Sequence, residues 1–291
     1  VDEMISTVDT AAVPGSWWSD LAHALASWTA IARSTGARAL AVRSLRRAVV
    51  AAGRSDRPMA EADVLVKAAY VMRDLAQGRT ALLLLDRATQ AYLKAGDLLG
   101  CSKVFVDRAV MFVYLADYRS ATESYETALR LLPRDDSRQR FLAISGLAHC
   151  YERFGKLQQA FELNGEARAL CGETEDLRLA YVVWNQAKLA TTIDVTIAEE
   201  SFRLAMRLLE AHAEPIEVSF CALDLAAHFV HRGETTKLTA LADDILAWLP
   251  ALRGNRHADA ILVEFVRHAK WGQVTQSLLI ESRRRLQRAA G

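Results

Sequence analysis

The sequence is poor in the residues that make turns. It has 14 Gly and 5 Pro in 291 residues, and so few chain breakers favour long helices joined by short connections. It has no charge excess of either sign. Lys+Arg 36 against Asp+Glu 35 leaves a net charge of +1, which removes the broad basic footprint of a dedicated nucleic-acid binder. The short blocks Arg43, Arg46, Arg47 and Arg283, Arg284, Arg285 read as solvated helix faces and favourable charge near helix C-termini. Long apolar runs are missing too. Aliphatic stretches such as Ala81 to Leu85 fall far short of the roughly 20 residues that span a bilayer, so no membrane partner is expected. Cys101, Cys150, Cys171 and Cys221 form no C-x-x-C pair and read as small apolar residues in a reducing compartment. The start, Val1-Asp2-Glu3, is acidic and carries no secretory leader. The expected location is cytoplasmic.

The motifs of chemistry are absent as well. No phosphate-binding G-x-x-x-x-G-K-[ST] loop occurs, and Gly100-Cys101-Ser102-Lys103 is not a variant of one. Neither G-x-G-x-x-G nor G-x-S-x-G is present. His228 and His231 stand three residues apart and can share a helix face, but zinc needs a third or fourth ligand. Adjacent His149 and Cys150 point about 100° apart on a helix and cannot meet. The expectation is therefore a non-enzymatic chain with no catalytic residue, no metal and no cofactor.

What is present is a repeat. A small or apolar residue, a bulky one four places on and a small one three further recur. The copies are Ala41-Leu45-Ala48, Ala81-Leu85-Ala88, Ala121-Tyr125-Ala128, Ala160-Asn164-Ala167 and Ala198-Phe202-Ala205, with a degenerate sixth, Leu238-Ala242-Ile245. Their first members are 40, 40, 39, 38 and 40 residues apart. Positions i, i+4 and i+7 share one helix face. Small residues at the ends of that set let a neighbouring helix come close, and the bulky one fills the gap. Most copies follow a second amphipathic segment and a short turn, carrying Gly36, Gln77-Gly78, Ala116-Asp117, Gly155-Lys156 or Gly233-Glu234; Gly just past a helix is a common stop. The preceding segments read Leu65-x3-Ala69-x2-Met72, Phe105-x3-Ala109-x2-Phe112, Ile144-x2-Leu147-Ala148-x2-Tyr151 and Ala222-x2-Leu225-Ala226-x2-Phe229. Residues 1–15 lack helical periodicity and end in Val13-Pro14-Gly15; they read as a linker or tail of something upstream.

These residues resemble tetratricopeptide (TPR) repeats, whose signature runs large, Leu-Gly/Ala, aromatic, Ala, aromatic, Ala, Pro. Phe105, Ala109, Phe112, Tyr118, Ala121, Tyr125, Ala128 and Pro133 carry it best, followed by Ile144, Leu147, Ala148, Tyr151, Gly155, Ala160 and Ala167. Arg108 departs at a usually apolar place and Asn164 at a usually aromatic one. The resemblance implies an all-α, right-handed superhelical solenoid of about six hairpins, near 17–52, 60–95, 102–133, 141–172, 179–212 and 216–249, with a C-terminal capping helix pair at 256–289. A HEAT-like array also reaches a period of 40, but the Ala/aromatic/Ala spacing argues against it. The long period is similar to regulatory and sensor TPR domains of bacterial signalling proteins.

Function follows from the resemblance as an expectation. First helices of TPR hairpins line an inner wall that binds a protein or peptide. Carried onto this chain, that wall holds Tyr70, Arg73, Lys103, Val106, Val110, Tyr114, His149, Glu152, Arg153, Trp184, Asn185 and Lys188. Trp184 stands out, because a Trp in a helix rich in Val and Ala is expensive to leave uncovered. A carboxylate clamp needs Lys and Asn on adjacent first helices. Lys103 fits, but the matching Asn is missing, so no clamp is expected. The resemblance thus implies a protein-interaction scaffold, or alternatively a peptide sensor controlling an effector such as a transcription regulator. Trp17, Trp18 and Trp28 in the first hairpin read as core and N-terminal cap, or as a docking face.

Overall fold

A computed structural model describes residues 13–171, 177–248 and 256–290. Most of the expected 1–15 tail lies outside these residues, as do 172 and 249 at the ends of the fourth and sixth expected repeats. The described residues form fourteen helices and no strand. The chain divides into two compact units, Val1–Arg153 and Phe154–Gly291. Unit 1 contains α1 (Gly15–Ser34), α2 (Arg38–Ala52), α3 (Pro58–Asp74), α4 (Gly78–Ala95), α5 (Leu98–Tyr114), α6 (Tyr118–Leu131) and α7 (Ser137–Arg153). Unit 2 contains α8 (Leu157–Ala169), α9 (Leu177–Ile193), α10 (Val195–Ala211), α11 (Pro215–Arg232), α12 (Thr235–Trp248), α13 (Arg256–Lys270) and α14 (Gln276–Ala290).

Local chemistry sets the helix ends. The Asp97, Asp117 and Asp194 carboxylates accept from the amides of Gly100, Ser120 and Thr196 at 2.8, 3.1 and 3.1 Å, which satisfies donors a helix start leaves open. Pro58 and Pro215 open α3 and α11, where a missing N–H costs nothing. Gly96 and Gly233 close α4 and α11 in the left-handed region. Ala76, Ala116 and Ala213 take that same conformation without being glycine, a strained choice for an L-residue.

Within unit 1 the second helices α2, α4 and α6 each pack against their own first helix and against the next one, and within unit 2 α10 and α12 do the same while α8 packs on α9. The alanine pairs make this possible. Ala48, Ala81, Ala88, Ala121 and Ala128 have no exposed surface, and Leu45, Leu85 and Tyr125 are buried between their pairs. The same holds in unit 2 for Ala160 and Ala167, and for Ala198 and Ala205 around Phe202. Tyr125 of α6 lies so close to α7 that a side chain on Gly146 would fall inside its ring. The two departures from the repeat pattern are absorbed locally. The Arg108 guanidinium stands over the Phe105 ring at 5.5 Å and pairs with Asp86 at 3.0 Å. The buried Asn164 amide donates to the Ala160 carbonyl at 3.0 Å. Of the three N-terminal tryptophans the structure buries Trp18, beneath Arg54, and leaves Trp17 and Trp28 exposed. The expectation of core packing is therefore corrected for Trp17 and Trp28.

The last hairpin departs from this stacking. α13 packs on α12, and α14 returns to pack on the first helix α11. Leu279 and Leu286 of α14 are buried in one core with Leu262, Phe265, Leu225 and Phe229. α14 thus covers apolar surface of α11 and α13.

Ala128→Leu is expected to destabilise the fold by about 1–3 kcal/mol through overpacking, and Ala116→Gly to stabilise it by about 0.5–1 kcal/mol by relieving left-handed strain. Urea midpoints moving in opposite directions, at an unchanged slope, would bear out both.

Candidate functional site

The first helices bring the expected wall residues into separate clusters. In unit 1, α3 presents Tyr70 and Arg73, with the guanidinium over the phenol ring at 5.0 Å. The Tyr70 hydroxyl donates to Asp107 of α5, so a bond between side chains joins two successive first helices. The Arg73 fork binds Asp74 at 2.9 and 3.2 Å. Further along α5, Lys103 and Tyr114 are exposed, Tyr114 by 51%, and Val110 is half-buried. On α7, His149 pairs with Glu152 at 3.6 Å. His149 also meets the edge of the Tyr118 ring at 6.0 Å, and Arg153 lies over that ring at 5.2 Å.

Two expectations fail here. Val106 is only 4% exposed and Trp184 only 9%, so neither offers an open contact surface. Trp184 belongs to unit 2, where its indole Nε1 donates to Asp224 of α11 at 3.0 Å and Lys188 stands over its ring at 5.6 Å. The aromatic that α9 does expose is Tyr181, stacked on Trp184 at 6.4 Å. Asn185 is half-buried beside it. The sequence reading also missed Asp107, Asp224 and Tyr118. Asp107 lies 37 residues beyond Tyr70 and Asp224 40 beyond Trp184, and acidic residues at one repeat period were the available signal.

Electrostatics distinguishes the two acidic residues. Burial pushes the Asp107 carboxyl up to about 6 from its ordinary 3.8, against the opposing pull of the Tyr70 hydroxyl and Arg73. The Tyr70 phenol is driven up by the same burial and by the adjacent Asp107 charge. Asp224 is also raised by burial, but it is opposed by Arg283 and Lys188 as well as by the Trp184 bond. Arg283 is delivered by α14 and pairs with Asp224. A cleft of about 370 Å³ adjoins this centre, lined by Lys188, Thr191, Thr192, Asp224, His228, His231 and Gln276 among others. Burial lowers His228 and keeps its imidazole neutral. Among the described residues no group of three His, Cys, Asp or Glu stands together to hold a metal. Burial raises the Cys101, Cys150 and Cys221 thiols, which disfavours the reactive thiolate.

The geometry is that of a helical-repeat protein with a polar and aromatic first-helix face. The chain matches solved structures of that kind. Over 92% of its length it superimposes on 99% of the apo form of RapI, with a TM-score of 0.65 at 11% identity. A putative kinesin light chain of Podospora anserina with TPR-like repeats matches over 67% of this chain and 97% of that one, at a TM-score of 0.57 and 16% identity. A Rap protein complexed with competence and sporulation factor matches over 92% and 76%, at 0.58 and 14%. No family model and no curated protein sequence matches the chain. The fold is thus that of the TPR-like repeat proteins, and among the described residues no helix is long and apolar enough to cross a membrane.

Asp107 is expected to make stability depend on pH. Its folded value lies above 3.8, so its contribution is complete below about pH 4 and is lost as pH rises through about 6. Asp107→Asn keeps an acceptor for Tyr70 and removes that loss. The variant should gain on the order of 1–3 kcal/mol over the native chain at pH 7.5, and the gap should close by pH 4 in paired denaturation curves.

Proposed function

We propose that this chain is a non-enzymatic interaction module that holds a protein or peptide segment on the first-helix face of unit 1. The observation that carries the reading is a contrast between the units. In unit 2 the first helix α11 is covered by the chain's own α14. In unit 1 the first helices α5 and α7 leave Lys103, Tyr114, His149 and Arg153 exposed. A rigid aromatic ring beside stacked guanidinium groups is a mixture that binds side chains and an extended backbone alike. Cation–aromatic pairs at Tyr70 and Tyr118 hold two of these cations in place, so less side-chain entropy is lost when a partner arrives.

The finer reading is a peptide-sensing regulatory domain of a bacterial, cytoplasmic signalling protein. The likeness to a Rap protein solved with competence and sporulation factor favours it. Neighbouring hairpins coupled in one dimension can turn a local change into a larger one at an attached effector.

A photo-crosslinking residue placed at Tyr114 or His149 should capture the same partner in cells, and one placed at exposed Leu83 of α4 should not. Tyr114→Ala and Arg153→Ala should each weaken that partner by about 1–2 kcal/mol. Capture from Leu83 alone, or binding indifferent to both alanines, would move the site off this face.

A further inference from the structure

Asp107 and Asp224 hold the same place in their units. Each sits on a first helix and accepts from an aromatic side chain of the preceding first helix. Each aromatic ring in turn carries a cation, Arg73 over Tyr70 and Lys188 over Trp184. The two places differ in what reaches them from outside the layer. Asp224 receives Arg283 from α14, and the same guanidinium lies over the Phe220 ring at 5.4 Å. Asp107 receives no such group: the Arg73 fork beside it is already bound to Asp74, and among the described residues no lysine or arginine forms an ion pair with Asp107. A carboxylate that is largely covered and lacks a cation is costly. Unit 2 shows within this chain how that cost is met, by an arginine on a helix that packs on the first helix bearing the carboxylate.

We infer that Asp107 is the docking point for an arginine carried by a helix of a partner protein, seated on α5 of unit 1 as α14 is seated on α11. This rests on the reading that unit 1 binds a partner on its first-helix face, and it names the chemistry of that partner. The groups facing Asp107 agree with a missing cation. From α3 come Tyr70 and Arg73, and from α4 and α6 the phenols of Tyr92 and Tyr125, both held neutral by burial. α7 also packs on α5, and its His149 and Glu152 are paired with each other. Burial holds the Asp107 carboxyl high, opposed by the Tyr70 hydroxyl and Arg73. One neighbour opposes an incoming cation. Lys103 stands four residues before Asp107, where unit 2 has Phe220 four residues before Asp224. Lys103 therefore weakens the docking, and its removal should strengthen it.

The test uses the full chain and two fluorescein-labelled, amidated peptides. Both have the sequence of residues 276–290 with Arg284→Gln, Arg285→Gln and Arg288→Gln; the second also has Arg283→Gln. Anisotropy at pH 7.5 and low salt should show the single-arginine peptide binding about tenfold tighter than its glutamine counterpart. In Asp107→Asn, checked for an intact melting transition, that difference should vanish, as it should for the native chain at pH 5. In Lys103→Ala the arginine peptide should bind several-fold tighter. A difference that survives Asp107→Asn, or binding of neither peptide at about 1 mM, overturns the assignment. If the two peptides bind equally and Tyr114→Ala weakens both, the arginine assignment fails while the first-helix face stands as the binding surface.

Discussion

Close approach of helices is the constraint on which the rest depends. Ridge-into-groove packing brings helix axes to 8–10 Å only where the facing side chains are small. Alanines spaced seven apart supply that at five second helices, α2, α4, α6, α8 and α10, and they are buried to the last ångström squared in most copies. A bulky residue between them, Leu45, Leu85, Tyr125 or Phe202, then fills the space the alanines leave. Interiors are packed to crystal density, so this alternation of small and large fixes where each hairpin sits on the next. The near-constant step of about 40 residues follows, and with it the alignment of first helices that brings residues one period apart into contact.

That alignment explains the polar side chains inside the layers. Tyr70 meets Asp107 and Trp184 meets Asp224 because each pair is separated by nearly one repeat. Such a bond is directional in a way that alanine packing is not, and it holds two first helices in one register. Buried polar groups are tolerated when partnered, and here each aspartate has an aromatic donor that packs as a hydrophobe and bonds as a polar group. Asn164 and Arg108 occupy apolar positions of the pattern on the same terms. One bonds back to its own helix, and the other lays its stem in the core and its head on Asp86.

The sequence made the helices and the period legible because both are local or strictly periodic properties. Alanine spacing, the Asp starts and the Gly stops each act within a turn or two of the chain. The site was less legible. A repeat position says which face a residue occupies, but the depth of that face depends on the neighbours one period away. Trp184 was expected to line an open wall, and Asp224 and Tyr181 cover it instead. Val106 fell on the predicted face but is buried within its layer. Asp107 and Asp224 were invisible as partners because a single acidic residue on a helix has no local signature. The return of α14 onto α11 was equally hidden, since its basic run Arg283-Arg284-Arg285 looks like any solvated helix end.

The two units spend the same architectural position differently. In unit 2 α14 packs on α11, burying Leu279 and Leu286 and bringing a guanidinium to Asp224. That covering also occupies first-helix surface of unit 2. At α3, α5 and α7 of unit 1 an acidic side chain stays largely covered, with only Arg73 and the Tyr70 hydroxyl opposing its burial. A stability cost of that kind, held beside exposed aromatic and basic side chains, is consistent with the proposed docking of a partner on this face.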